Sequence, residues 1–270
     1  MDKNIKYLLL PDVHGRQFWM EPVKDVLENT DAHIIFLGDY LDPYPHEWDY
    51  GVSYQKISIE RFEEIIQLKK DHPDRITLLL GNHDAGYAIG TDICSCRMDH
   101  RNYAKIESLF KDNKELFQIA ETVEVAGKKF NISHAGILKG WAKSVWGEEA
   151  EADDFNVVDR LNNAWLTDDY KILDRLGDYD NYRGYCGFPY ASPIWSDIRS
   201  WLSAKKEDTY NHNIVGHTML NLPIILEPIS CIDCQEAFYI DGEGTIRYYN
   251  TDKEPKRADD LKKEAENGEA

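Results

Sequence analysis

Five short segments of this sequence carry side chains that can ligate a metal ion. They are Pro11-Asp12-Val13-His14-Gly15, Gly38-Asp39-Tyr40-Leu41-Asp42, Gly81-Asn82-His83-Asp84, Ser133-His134-Ala135-Gly136 and Gly216-His217-Thr218. Together they offer Asp12, His14, Asp39, Asn82, His83, His134 and His217. Two carboxylates, an amide and several imidazoles make a mixed oxygen and nitrogen set, which suits Mn, Fe, Zn or Ni better than Mg or Ca. One such ion takes about four to six ligands. The set therefore serves two divalent transition-metal ions if one carboxylate is shared, and Asp39, in the central loop, is the natural bridge. Two cations about 3.5–4 Å apart can hold a hydroxide and clamp a phosphoryl group. Displacing an alkoxide then requires a proton. A histidine beside the metals, held in the correct tautomer by a carboxylate, would supply it, and His83 followed by Asp84 fits that role. Ordinary polar loops explain this pattern poorly, because four of the nine histidines of the chain fall in these segments.

Residues so far apart meet only if the fold gathers them. Each segment directly follows a short apolar run: Ile5–Leu10, His33–Leu37, Ile76–Leu80, Lys129–Ile132 and Asn213–Val215. Unalternated apolar runs of this length predict strands buried on both faces. Helical spacing follows over Phe18–Asn29 and again over Ser58–Lys70, where Ile59, Phe62, Ile65, Ile66 and Lys69 share one face. Strand, polar loop and helix make the βα unit, whose ligands bind at the carboxyl ends of the strands. Five loops converging there turn a dispersed set of residues into one site.

Residues 137–212 differ. They hold Trp141, Trp146, Trp165, Trp195 and Trp201, five of the seven tryptophans. They predict helices and loops that cover the site, with the tryptophans serving mainly as core. Residues 224–250 read as antiparallel strands, with Gly242-Glu243-Gly244 at a hairpin turn. The expected organisation is a single domain over 1–250, with an aromatic-rich insertion at about 137–212. A charged tail, frayed or disordered, follows over 251–270.

The motifs D-x-H-G (Asp12–Gly15), G-D-x-x-D (Gly38–Asp42), G-N-H-D (Gly81–Asp84), H-A-G (His134–Gly136) and G-H-T (Gly216–Thr218) resemble those of the calcineurin-like metallophosphoesterases in order and approximate spacing. Each is weak alone, but five in order, each after an apolar run, are specific. The resemblance covers roughly residues 5–250. It implies an α/β fold, a four-layer αββα sandwich of two mixed β-sheets flanked by helices. It also implies that Asp12, His14 and Asp39 hold a first metal and that Asp39, Asn82, His134 and His217 hold a second, Mn foremost. His83 would be the proton donor, oriented by Asp84 or a nearby carboxylate. Asp42 would cap its loop through backbone N–H groups.

Many diesterases of the group read G-H-x-H, whose last histidine binds the first metal. Met219 stands there in this chain. The absence of that histidine resembles the serine/threonine protein phosphatase-like branch, as do Trp195-Ser196-Asp197 and Cys231-Ile232-Asp233. That branch includes bacterial dinucleoside-tetraphosphate hydrolases. The protein phosphatases, however, place a phosphate-gripping Arg in G-D-x-V-D-R-G, where this chain has Pro43 after Asp42. Arg16, Arg97, Arg101, Arg183 and Arg199 are candidates to replace it. Arg97 and Arg101, which follow the third motif, are preferred.

The expected activity is therefore hydrolysis of a phosphate monoester, on a phosphoprotein or a small phosphate ester. A nucleotide phosphodiesterase or dinucleoside polyphosphate hydrolase is the alternative, and a non-catalytic metal-binding scaffold is a third. The net charge of −18 over 270 residues argues against a nucleic-acid polymer or an anionic membrane as partner. Bound dications would reverse that sign locally for an anionic substrate. The first apolar run, Tyr7–Leu10, is too short for a signal peptide or membrane span. The five cysteines read as reduced thiols in a cytoplasmic protein.

Overall fold

Leu8, Leu9 and Leu10 are all fully buried, yet they enter different cores. Leu8 and Leu10 pack with Val23, Val26 and Phe62, whereas Leu9 packs with Ile35, Leu79, Ile132 and Ile214. Alternate side chains of a strand leave opposite faces, so an apolar run without alternation needs cover on both sides. The computed structural model, which describes residues 4–48, 53–90, 97–177, 191–201 and 205–250, with the side chains of 199 and 200 left out, supplies that cover.

Among the described residues, five strands precede the turn at Ala126 and Gly127: β1 Ile5–Leu10, β2 His33–Phe36, β3 Ile76–Leu79, β4 Phe117–Gln118 and β5 Ala120–Val125. Six more follow: β6 Lys128–Ser133, β7 His212–Val215, β8 Ile224–Ile225, β9 Ile229–Cys231, β10 Phe238–Asp241 and β11 Ile246–Tyr248. They form one six-stranded sheet in the order β11-β10-β1-β2-β3-β4 and one five-stranded sheet in the order β5-β6-β7-β9-β8. Both sheets are mixed. Strands β1 to β4 run parallel, with β10 antiparallel to both of its neighbours, β1 and β11, and β6, β7 and β9 run parallel with β5 and β8 antiparallel. The two sheets face each other across a core that includes Leu9, Ile35, Phe130, Ile214 and Phe238.

Helices α1 Met20–Asn29, α2 Tyr54–Asp71, α3 Asn82–Ala88 and α4 Tyr103–Asp112 lie along the first half. In α2 the buried positions Ser58, Ile59, Phe62, Ile65 and Ile66 follow the spacing expected of one face, and Lys69 and Lys70 sit favourably at its negative end. The helix begins at Tyr54, four residues before the expected start. Helices α5 Lys139–Trp146, α6 Val157–Leu166, α7 Tyr170–Leu173 and α8 Ile198–Trp201 occupy the tryptophan-rich region. Trp141 and Trp165 are buried in the core shared with the first sheet, and Trp201 in a cluster with Val215 and Ile229. The architecture is the mixed α/β sandwich of two mixed sheets flanked by helices.

One expectation is corrected. The strands over 224–250 are not one antiparallel group: β9 runs parallel to β7 in the second sheet, while β10 and β11 complete the first. The reason is non-local, since β1 leaves an edge that β10 fills, pairing Leu9 with Phe238. The tail 251–270, Arg183, Cys94, Cys96 and Cys186 lie outside the described residues. Cys231 and Cys234 are free thiols. Among the described residues no helix is long and apolar enough to cross a membrane.

Candidate active site

The parallel strands β1, β2 and β3 end at Leu10, Phe36 and Leu79, and their following loops deliver Asp12, Asp39 and Asn82 to one place. Strands β6 and β7 of the second sheet deliver His134 and His217 to the same place. All six expected ligands, Asp12, His14, Asp39, Asn82, His134 and His217, are buried and converge. The backbone is bent hard to achieve this. His14, Asp39, Asp42 and His217 all have positive φ, at 43, 50, 56 and 65°, a conformation that side-chain-bearing residues adopt at a cost and mainly at functional sites. Gly81 is required for the approach, because a Cβ there would lie 2.1 Å from Asp39 Oδ1. Gly216 is similarly constrained, its Cβ falling 2.3 Å from Asp12 Oδ1.

The hydrogen bonds around the rings leave lone pairs aimed inward. His134 Nδ1 donates to the Leu37 carbonyl at 2.9 Å, which leaves Nε2 bare. That Nε2 faces Asn82 Oδ1 at 3.0 Å and His217 Nδ1 at 3.2 Å, and the latter lies 3.0 Å from the same Oδ1. His14 Nδ1 donates to the Leu41 carbonyl at 2.7 Å, freeing its Nε2. Asp39 Oδ2 lies 3.5 Å from His14 Nε2 and 3.5 Å from His134 Nε2, between the two groups. Its Oδ1 is taken by the His83 amide at 2.9 Å. Asp12 Oδ1 accepts the His217 amide at 2.9 Å. Two sets of three ligand atoms lie within 4.8 Å of one another, His14 with Asp39 and His83, and Asp12 with Asp39 and His134. Asp39 belongs to both.

Acceptors that face one another in a buried space call for something electropositive between them. The donor set, oxygen and imidazole nitrogen, therefore fits divalent transition-metal ions. The electrostatics agree. Burial holds His14 down to about 3, so its ring is neutral and its lone pair available. Burial alone would raise Asp39, but the rings of His134, His83 and His14 bring it down to about 2. Burial, opposed by His134 and reinforced by Asp39, raises Asp12 above the ordinary carboxylate range.

His83 is the first-turn neighbour of Asn82 in α3, and the carboxylate that holds it is not Asp84. Its Nδ1 lies 2.7 Å from Asp42 Oδ2, and Tyr87 donates to Asp42 Oδ1 at 2.6 Å. Asp84 turns away and accepts from the amides of Asp39 at 2.6 Å, Gly81 at 2.9 Å and Tyr40 at 3.1 Å. The nearby carboxylate of the two alternatives is thus Asp42, and Asp84 takes the backbone-capping place expected of Asp42. As the third residue of α3, Asp84 is positioned to satisfy amides at the helix start, whereas the positive φ of Asp42 points its side chain to the ring. Nothing in the local sequence distinguishes the two.

The candidate arginines separate clearly. Arg97 lies at the site: Nε donates to the Asp42 carbonyl at 3.0 Å, Nη2 is 3.4 Å from His83 Nε2, and the guanidinium stacks 3.7 Å above the Tyr44 ring. Arg101 is exposed and lines a cleft of about 780 Å³ between α2 and α4, which Arg97 and Asp42 also line. Arg16 is committed to Glu47, with Nε and Nη2 each at 2.8 Å. The side chain of Arg199 lies outside the described residues. Tyr40 turns into the core, stacked on Phe62 and against Phe117, with its hydroxyl donating to the Leu79 carbonyl at 2.8 Å. Trp195, by contrast, sets its ring 5.8 Å from that of His217, and Ile198 donates its amide to Thr218 Oγ1 at 3.1 Å. The segment Trp195-Ser196-Asp197 thus backs the fifth loop.

Residues 5–221 match the family model for calcineurin-like phosphoesterases. The chain belongs to this family. Members act on phosphorylated substrates. This phosphoesterase is 24% identical over 136 residues to a probable serine/threonine-protein phosphatase of Encephalitozoon cuniculi, a match covering 48% of this chain and 26% of that protein. The chain thus spans about a quarter of that curated relative's length. Its fold is similar to that of a cold-active protein tyrosine phosphatase, with a TM-score of 0.54 at 16% identity, over 93% of this chain and 80% of the other. A point mutant of a cold-active protein tyrosine phosphatase gives 0.56 at 16% identity, over 90% and 80%.

Proposed function

We propose that this phosphoesterase hydrolyses a phosphate monoester with the help of two divalent transition-metal ions, Mn foremost. Asp12, His14 and Asp39 would hold one ion, and Asp39, Asn82, His134 and His217 the other. When bound, such a pair activates water and neutralises charge on the phosphoryl oxygens. The observation that carries the reading is the meeting of His134 Nε2, His217 Nδ1 and Asn82 Oδ1 within 3.2 Å of one another, with Asp39 Oδ2 between His134 and His14.

The remaining groups handle the proton and the substrate. His83 gives a proton from Nε2 to the departing oxygen. Asp42, at 2.7 Å from Nδ1, holds the other proton in place and stabilises the charged ring. Arg97, braced by Tyr44 and the Asp42 carbonyl, offers its guanidinium to the phosphoryl oxygens beside His83. It would stand in for the arginine missing after Asp42, reached from a different stretch of chain.

A metal-dependent screen over phosphate esters tests this. Para-nitrophenyl phosphate should turn over faster than its bis-ester and faster than dinucleoside polyphosphates. Faster turnover of the bis-ester would replace the monoesterase reading with the diesterase one. Absence of any metal-dependent turnover, with no metal bound, would favour a scaffold.

A further inference from the structure

Asp233 follows β9, is 3% exposed, and has no task in the reading above. Its carboxylate lies against that of Asp12, with Asp39 and Arg16 within electrostatic reach. Its Oδ1 is buried and has no hydrogen-bond partner. Arg16 does not supply one: two of its nitrogens serve Glu47, and Nη1 donates to the Asp12 backbone carbonyl at 3.3 Å. Among the described residues that oxygen has no donor, and a buried carboxylate oxygen in that position is costly and calls for a partner that binds there.

The vacancy in the proposed ligand set lies on the same side. Asp39, Asn82, His134 and His217 would give one cation four ligands, while Asp12, His14 and Asp39 give the other three. The residue that would add a fourth in the sequences reading G-H-x-H is here Met219, which is 50% exposed. We propose that Asp233 belongs to the cation site formed by Asp12 and His14, contributing a third carboxylate and one free acceptor oxygen in place of the missing histidine. This rests on the two-cation reading. Even a carboxylate beside the direct ligands is typically worth about 10–100-fold in affinity, and an oxygen that takes the histidine's place should be worth at least that.

The test is Mn²⁺ binding by calorimetry, with metal counted by elemental analysis, on the full-length chain and on D233N. The wild-type protein should bind two ions. In D233N one site should weaken by about 10–100-fold and the other should stay within about twofold. Metal-free D233N should melt no lower than the metal-free wild type, because its amide can donate to Asp12 and one of several crowded buried carboxylates is gone. A merely structural role predicts the opposite, a lower melting temperature of the metal-free protein and equal loss at both sites, and that result would overturn the assignment. Unchanged affinity at both sites would overturn it as well. A wild-type chain that binds fewer than two ions would instead overturn the two-cation reading itself, and the assignment with it. If D233N does not fold, Asp233→Ser, which leaves room for a water molecule, is read by the same criteria.

Discussion

The ring of His83 is engaged at both nitrogens, by Asp42 at 2.7 Å and by Arg97 at 3.4 Å. If it protonates the leaving oxygen, its replacement matters most when that oxygen leaves unwillingly. His83→Ala should lower kcat by about 10²–10⁴-fold for alkyl phosphates and by less for para-nitrophenyl phosphate. Asp42→Asn should follow the same pattern more weakly, with metal content retained. Asp84→Asn should show no dependence on the leaving group, because its carboxylate serves only backbone amides of the second and third loops. Equal losses across leaving groups for His83→Ala would remove the acid assignment. At this scale the sequence reveals which residues matter through their motifs. It does not reveal which of two aspartates, one position after His83 or forty-one before it, points at the ring. That depends on a single positive φ at Asp42, which an aspartate tolerates without requiring.

Strands β7 and β9 illustrate what periodicity does and does not disclose. Asn213–Val215 read as a strand from its apolar run, and β7 begins at His212, one residue earlier. Its partner β9, only Ile229–Cys231, pairs with it in parallel, a relation between stretches that no local pattern encodes. The pair also places His212 Nε2 2.9 Å from Ser230 Oγ. Burial depresses the His212 pKa to about 4, with Glu227 opposing and Lys128 reinforcing. The folded chain therefore binds this proton less readily than the unfolded one. Stability from the neutral ring is complete above about pH 6.5 and is lost as pH falls from there towards 4, on the order of 3 kcal/mol at most. Urea unfolding between pH 7 and pH 4 should show this loss, and His212→Gln should flatten part of it. An identical pH slope in the variant would mean that other groups carry the acid sensitivity.

Over the whole molecule the dominant fact is charge. The chain carries 49 acidic against 31 basic side chains, and Asp12, Asp39, Asp84 and Asp233 are buried close together. Binding two dications among them should stabilise the fold. At a hundredfold excess over Kd each ion adds about 2.7 kcal/mol, or roughly 5–10 °C in Tm for a chain of this size. Scanning calorimetry with and without Mn²⁺ or Zn²⁺ reads this directly, and an unmoved Tm with either ion would argue against the two-cation reading. The layered α/β fold was foreseeable from the buried strand runs and their loops. The joining of β10 to β1 was not, because a strand that arrives late in the chain finds its neighbour only once the rest of the sheet exists.

The site is also a seam. Asp12, His14, Asp39, Asn82 and His83 come from the half of the chain that precedes the tight turn at Ala126 and Gly127, while His134 and His217 come after it. A protein severed at that turn would therefore yield two pieces, each with an incomplete set of ligands. If the proposed reading holds, neither piece alone should turn over a phosphate ester, and mixing the two should restore activity only if they reassociate across β5 and β6.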